Sequence, residues 1–182
     1  MTAKQFYAQP HDAPMAEKVE INDIGKYVNT IDDIGNNWML VTSEKDGKTN
    51  ALTASWGGLG FLWRRPVAFI FIRPSRYTYG FIESSGRFTL TFFDGQKEAL
   101  GYLGKTSGRD VPDKTAQAGL HETKVDGQPT YEEGRFMISC RVLYRDPIER
   151  DKYLDKTIDD QFSLGDNRSV MYVGEIESAW KL

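Results

Sequence analysis

Two arginines and two hydroxyl side chains lie within six positions of the sequence, in residues 73–78 (RPSRYT). Arg73 and Arg76 carry planar guanidinium groups that stay charged at every physiological pH. Ser75 and Thr78 add hydroxyl groups that can donate to an oxygen. Side chains of these types, so close together, are suited to binding an anion such as a phosphate.

The surroundings of this segment favour the same chemistry. An apolar run at residues 66–72 predicts a buried strand, and residues 77–84 predict a short helix. The first amides of a helix have no partner within it, so they too attract an anion. An ordinary exposed loop from strand to helix, with Ser75 as the helix cap, remains an alternative.

A second segment, residues 50–56 (NALTASW), is rich in small and hydroxyl side chains and leads into three glycines at residues 57–60. Small side chains leave the backbone open to a close neighbour. Trp56 stands at the end of this segment and has two interpretations. It covers a bound ring or a subunit interface, or it is a core residue.

A third segment, residues 105–114 (KTSGRDVPDK), is too polar to lie in a core. It is either a functional loop or a plain surface loop. Ser107 and Gly108 offer either a second set of hydrogen-bond donors or a simple turn. Arg109 and Lys114 add two positive charges, although solvated surface charge is an equal reading for Arg109.

The elements that carry these segments are strands joined by hairpins and short helices. Asp46 and Gly47 indicate a hairpin turn, and residues 87–93 and 135–144 alternate as half-buried strands. Residues 61–65 read as a loop and residues 115–134 as irregular chain. No long crossover helices and no Gly-x-Gly-x-x-Gly motif occur. We therefore predict a mainly β fold, an antiparallel closed sheet with a few short rim helices.

Composition narrows the classes of function. The chain has 182 residues, a net charge of −3 and one cysteine, Cys140, which alternation places in the core. We expect an N-terminal arm at residues 1–24 and a single domain at 25–182. The basic residues are scattered among acidic ones, which disfavours nucleic acid as a binding partner. His11 and His121 are far apart in the sequence, which disfavours a structural metal site, and no apolar segment is long enough to span a membrane. A cytoplasmic protein is expected.

The three segments together resemble the flavin reductase-like family of the FMN-binding split barrel, including its flavoredoxin-like members. The ending at residues 165–176 (GDNRSVMYVGEI) is also similar, and the resemblance runs from about residue 30 to the carboxyl end. It implies a split β-barrel and a homodimer with FMN in a groove at the subunit interface. Many members have a histidine after the Gly-Asp of this ending, where this chain has Asn167 and Arg168.

The resemblance also implies roles for the three segments. Residues 50–56 would lie along the isoalloxazine ring, residues 73–78 would hold the phosphate, and Arg109 and Lys114 would bring positive charge near flavin N1. The cofactor-binding residues implied are Thr53, Ala54, Ser55, Trp56, Arg73, Ser75, Arg76, Tyr77, Thr78, Ser107, Gly108, Arg109 and Lys114.

Two functions follow from the resemblance. The first is an NAD(P)H-dependent flavin reductase-like oxidoreductase, in which no side chain serves as a catalytic acid. The second is a flavoredoxin-type electron carrier or flavin-binding module without its own nicotinamide reaction, with a redox protein as its partner. A homodimer is also expected because Trp56, Phe61 and Trp63 would otherwise expose a large apolar patch.

Overall fold

The computed structural model describes residues 15–163 and 165–182. The strands are β1 (Glu17–Val19), β2 (Met39–Lys45), β3 (Lys48–Ala54), β4 (Gly58–Leu62), β5 (Arg65–Ile72), β6 (Arg87–Phe93), β7 (Glu122–Val125), β8 (Gln128–Tyr131), β9 (Gly134–Pro147) and β10 (Val170–Lys181). The α-helices are α1 (Thr30–Gly35), α2 (Tyr77–Ser85), α3 (Lys97–Lys105), α4 (Lys114–Gln117) and α5 (Lys156–Phe162), with 3₁₀ turns at Ile21–Lys26 and Arg150–Lys152. None of these helices combines the length and the apolar character needed to span a membrane.

The main sheet is antiparallel and has the strand order β3-β2-β6-β9-β10-β5-β4. Strand β10 pairs with β9 along one side. Its other side pairs first with β5, through residues 170–175, and then with β1, through residues 179–181. Strands β7 and β8 form a separate hairpin. In the part of the chain that the structure describes, β3 and β4 are therefore the ends of this order, and the short β1 has β10 as its only partner.

The hairpin predicted at Asp46 and Gly47 is confirmed, since these residues connect β2 to β3. Both have positive φ values, 51° and 73°. That is the conformation of a two-residue turn whose twist matches paired strands, and Asp-Gly adopts it readily. The predicted helix after residue 76 and the predicted strands at 87–93 and 135–144 are also present, as α2, β6 and β9. The prediction that β6 is half-buried was wrong, because Thr89 and Thr91 on its other face are buried under the β7–β8 hairpin, where Thr89 Oγ1 donates to the Pro129 carbonyl oxygen. Residues 136–140 of β9 are buried on both faces as well.

The core fills the inner face of the main sheet. Alternating side chains of β6 and β9, among them Phe88, Leu90 and Ile138, pack there with almost no exposure. Cys140 is fully buried in the same cluster, as its alternation predicted. Burying a large apolar side chain such as Phe88 or Leu90 contributes roughly 1.5–3 kcal/mol to the free energy of folding. A second cluster lies under α3 and includes Leu100, so both clusters hold the strands and rim helices in fixed positions.

Two stretches differ from the sequence prediction. Residues 61–65, read as a loop, belong to a β4–β5 hairpin whose turn residues Trp63 and Arg64 both have positive φ. The sequence did not predict β4 because its glycines interrupt the alternation that is typical of a strand. At Gly57, just before β4, an added Cβ would lie 2.6 Å from the Phe69 carbonyl oxygen, so only glycine allows this close approach. Residues 115–134, read as irregular, contain most of α4 and the β7–β8 hairpin, whose four-residue strands are too short to show a clear period.

The predicted N-terminal arm is described only in part, because residues 1–14 lie outside the described residues. Residues 17–19 form β1 and pair with β10. Val19 and Ile24 are buried in the main core cluster. This portion of the predicted arm is thus continuous with the sheet, and its three-residue strand was too short for sequence periodicity to detect.

Candidate functional site

The three sequence segments meet at two adjoining clefts beside the edge strand β3. The cation cleft is lined by Asn50, Ala51, Leu52, Ser75, Arg76, Tyr77, Thr78, Lys105, Thr106, Ser107, Gly108 and Lys114. The wall cleft is lined by Leu52, Thr53, Ala54, Ser55, Trp56, Phe71, Ile72, Arg73 and Arg76. Leu52 and Arg76 belong to both, so the two clefts are continuous at Arg76.

Twelve of the thirteen predicted site residues line one cleft or the other. Arg109 lines neither, but it contacts two residues of the cation cleft. Its Nη1 donates to the Ser75 carbonyl oxygen at 3.1 Å, and its guanidinium lies 5.0 Å from the centre of the Tyr77 ring. Residues more than 60 positions apart in sequence are thereby brought together at β3, the end of β5 and the loop after α3.

Four positive charges at these clefts are held by main-chain carbonyl groups. Arg73 donates to the Phe162 carbonyl oxygen at 2.6 Å and Arg76 to that of Gly104 at 2.8 Å. Lys114 donates to the Thr106 carbonyl oxygen at 2.9 Å, and Arg109 to Ser75 as described. None of the four forms an ion pair with a carboxylate among the described residues.

The protonation equilibria of two of these cations reflect that lack of a counter-charge. Burial lowers the pKa of Lys114 to about 8, and the charge of Arg76 contributes further. Burial also lowers the pKa of Arg76, with a smaller contribution from Arg73. A buried cation without an anion is unfavourable. An anionic ligand in the cation cleft would therefore relieve a cost that the protein otherwise carries.

Asn50 is a residue of this cleft that the sequence interpretation did not select. Its Nδ2 donates to Thr78 Oγ1 at 2.6 Å, and both side chains are buried. An added Cβ at Gly108 would lie 2.1 Å from Asn50 Oδ1 and 3.1 Å from the Tyr77 ring, so the loop can approach only as glycine. The signal was a buried amide in a strand of small residues, since such an amide must find a partner.

Ser75 does not serve as the helix cap that the alternative interpretation proposed. The residue preceding α2 is Arg76, and no side chain caps the helix. Ser75 Oγ instead accepts a hydrogen bond at 2.7 Å from Asn167 Nδ2. Asn167 thus connects the segment before β10 to the cation cleft.

The wall cleft has a strand edge and aromatic surface. β3 pairs only with β2, so its other edge offers free main-chain donors and acceptors in the described structure. The small side chain of Ala54 is buried in the core and leaves that edge unobstructed. The Thr53 hydroxyl donates its hydrogen bond to the Leu100 carbonyl oxygen at 2.6 Å, so it is already engaged within the protein. Trp56 is 40% exposed, so it is not the core residue of the alternative reading.

Arg73 lines the wall cleft, whereas Lys114 lines the cation cleft. The guanidinium of Arg73 is 5.6 Å from the centre of the Trp56 ring, and its Nε is buried without a partner among the described atoms. Lys114 lines the cation cleft beside Arg76 and does not line the wall cleft. The charge next to the wall thus comes from Arg73 and Arg76, which the sequence reading had assigned to a phosphate alone.

One group of possible metal ligands, His121, Glu132 and Glu133, comes together outside the clefts among the described residues. The sequence did not reveal it, because the β7–β8 hairpin brings its members together. His121 and Glu132 are exposed, and the His121 ring already shares a hydrogen bond with Glu133. Exposed groups of this kind are common without a metal.

The comparison of the sequence with protein families decides the family. The model of the flavin reductase like domain matches residues 31–181. The chain belongs to this family. The comparison with curated proteins finds no match.

Solved structures of similar fold include flavin reductase-like proteins and a flavoredoxin. The FMN-binding domain of a flavin reductases-like enzyme from Shewanella baltica is 18% identical, with a TM-score of 0.68, over 94% of this chain and 79% of that one. The flavoredoxin of Methanosarcina acetivorans is 20% identical, with a TM-score of 0.60, over 80% and 68%. An FMN-binding protein from Thermus thermophilus is 19% identical, with a TM-score of 0.60, over 100% and 82%.

These likenesses confirm the predicted fold. The flavin reductase-like chain is a mainly β, antiparallel split barrel with short helices at its rim. At 18–20% identity they show the fold and not the ligand.

Proposed function

We propose that the chain is an FMN-binding oxidoreductase, with the FMN phosphate in the cation cleft and the isoalloxazine ring along the wall cleft. The observation that carries this proposal is the set of four cations without carboxylate partners at two continuous clefts. A dianionic phosphate would supply the missing negative charge. The Shewanella domain and the Thermus protein are FMN-binding proteins of similar fold, which gives the proposal further support.

The residues present fit this cofactor. Arg76 and Lys114 would neutralise the phosphate, and Thr78, held by the buried Asn50, would offer its hydroxyl. The free edge of β3 matches the donors and acceptors of a flavin pyrimidine ring, and Arg73 would place positive charge beside it. When bound, FMN supplies the two-electron redox chemistry, while the protein supplies orientation and charge.

We further propose NAD(P)H as the hydride donor, which makes the protein a flavin reductase-like enzyme. No side chain need act as an acid, because bound FMN would itself supply the hydride acceptor. The alternative is an electron carrier of the flavoredoxin type, and the likeness to the Methanosarcina flavoredoxin favours it. A redox protein partner and a cytoplasmic location stay predictions.

The test uses the purified protein under anaerobic conditions. A flavin absorption spectrum that stays with the protein through gel filtration would support FMN binding. Bleaching of that spectrum on addition of NADH or NADPH would support the reductase. Bleaching with dithionite alone would favour the carrier, and a protein that binds no added FMN would contradict both.

We also propose a homodimer. Trp56, Phe61 and Trp63 are 40%, 74% and 55% exposed, which is more aromatic surface than a monomer usually shows to water. A second subunit would cover these rings and complete the groove beside the wall cleft. Light scattering that gives the mass of one 20.7 kDa chain at micromolar concentration would contradict this proposal.

A further inference from the structure

A second cavity, of about 310 Å³, adjoins the wall cleft and shares Trp56 and Phe71 with it. It lies between the segment that contains α5 and the start of β10. Its apolar lining consists of Trp56, Phe71, Ile148, Tyr153, Ile158 and Phe162. A molecule bound there would therefore lie next to the proposed flavin site, against a mostly aromatic surface.

The only cation that lines this cavity among the described residues is Arg168, and it is paired with two carboxylates. Its Nε donates to Asp159 Oδ1 at 2.7 Å and its Nη2 to Asp159 Oδ2 at 2.9 Å. Asp166 accepts a further hydrogen bond from Nη1. The hydrogen bond from Arg168, with a second from Ser163, lowers the pKa of Asp159 to about 2, so the pair stays ionised and mutually neutralised.

This arrangement selects a class of ligand by charge. An anionic compound would lose hydration on entering and would find no free cation on the described walls. The pyrophosphate of a dinucleotide carries such charges, whereas a neutral ring loses little hydration and gains contact with Trp56 and Phe162. These two rings already meet edge to face at 6.1 Å, the geometry that aromatic groups favour.

The volume limits the size of the ligand. Pockets for small molecules range from about 300 to 1,000 Å³, so this cavity stands at the small end of that range. It has room for one or two fused rings and not for a dinucleotide.

We propose that the cavity between α5 and the start of β10 binds a neutral, planar compound of one or two rings beside the flavin. The position beside FMN rests on the proposed function, whereas the binding itself rests on the cavity alone. The inference thus names the class of small molecule that the oxidoreductase takes.

The experiment measures binding of two probes to the full chain by equilibrium dialysis, with and without added FMN. The probes are 1,4-naphthoquinone, which is neutral, and 1,4-naphthoquinone-2-sulfonate, which has the same rings and one negative charge. We expect the neutral quinone to bind about tenfold more tightly or better, because the sulfonate would be desolvated without a partner.

Two matched variants then locate the binding. Ile158 lines the cavity and is 44% exposed, whereas Leu154 is fully exposed, lies in the same segment and does not line it. Ile158→Arg should weaken naphthoquinone binding about tenfold, since it places a charge in the apolar cavity, and Leu154→Arg should leave it unchanged. Circular dichroism melting of each variant shows whether it is folded.

Equal affinity for the two quinones, or an equal loss in the two folded variants, would overturn the proposal. So would an Ile158→Arg variant that changes the mass of the assembly in light scattering but binds naphthoquinone normally, since the cavity would then be a subunit contact. If the parent protein binds naphthoquinone but takes up no added FMN, the cavity proposal is supported and the proposed function is contradicted. The two can therefore fail separately.

Discussion

Replacement of Arg76 by alanine should weaken FMN binding strongly and leave riboflavin binding almost unchanged. Arg76 lies where the cation cleft and the wall cleft meet, and one of its N–H groups donates to the Gly104 carbonyl oxygen. Its remaining donors are available to a phosphate. Riboflavin has the same ring system as FMN but no phosphate, so it reports on the wall cleft alone.

The magnitude follows from the hydrogen bonds that would be lost. A hydrogen bond between charged groups contributes roughly 1.5–3 kcal/mol, and about 1.4 kcal/mol corresponds to a tenfold change in affinity. Loss of one such bond should therefore raise the dissociation constant for FMN about tenfold to a hundredfold. Arg76 is half-buried, so solvent screening should reduce this effect less than it does for a pair on the open surface.

The assay is fluorescence titration of FMN and of riboflavin into the parent protein and the Arg76→Ala variant. Arg65→Ala is the matched control, because Arg65 pairs with Glu175 on the surface and lines neither cleft. Equal losses for the two flavins would mean that Arg76 acts only by holding the Gly104 carbonyl. No loss for either would refute the contact between Arg76 and the phosphate and would direct attention to the loop around Arg109.

Three further predictions concern the same molecule. Lys114→Met should weaken FMN binding without abolishing electron transfer. Burial holds the pKa of Lys114 at about 8, and a bound phosphate should raise it, so the parent protein should take up a proton when it binds FMN at about pH 9. The variant should lack this uptake, which calorimetry in two buffers of different ionisation enthalpy measures. Without ligand, the unfolded chain binds more protons at Lys114 than the folded chain between about pH 8 and pH 10.5, so the parent protein should gain stability relative to Lys114→Met as the pH rises through that window, as urea unfolding can show. Gly108→Ala should displace Asn50, lower the free energy of unfolding by about 1–3 kcal/mol and weaken FMN binding. The control is Gly80→Ala in α2, where the added methyl group meets no neighbour and should not lower stability. Unchanged melting and FMN binding in Gly108→Ala would contradict the close approach of the loop to Asn50.

Much of the fold was predictable because its local signals agree with its tertiary pairing. Asp46 and Gly47 have the backbone conformation that a tight hairpin needs. The sequence of β6 alternates because its apolar face packs in the main core, while its threonine face is buried by hydrogen bonds to the β7–β8 hairpin, which the pattern did not show. The segment around Arg76 was recognisable because two arginines and two hydroxyl side chains directly follow an apolar strand, and the structure places them at the two clefts. In each case one short stretch carried the information.

The remainder depends on contacts between distant residues. Asn50 acquires its role only through Thr78 and Gly108, and nothing in its own strand shows that they come together. Phe162 contacts Trp56 of the wall cleft because α5 folds back to it, a contact across 106 positions that no periodicity encodes. Single-sequence patterns find segments, whereas sites made of several segments require the tertiary structure.

Strand β10 has a consequence for the order in which the protein assembles during synthesis. It is the most C-terminal of the described strands, and β5 has only β4 and β10 as strand partners among the described residues. Strands β2, β3, β6 and β9 can pair with one another before β10 emerges from the ribosome, but β5 cannot join them. Phe71 and Arg73 are therefore the last parts of the wall cleft to reach their positions, and a nascent chain that ends before residue 170 should have no complete flavin groove.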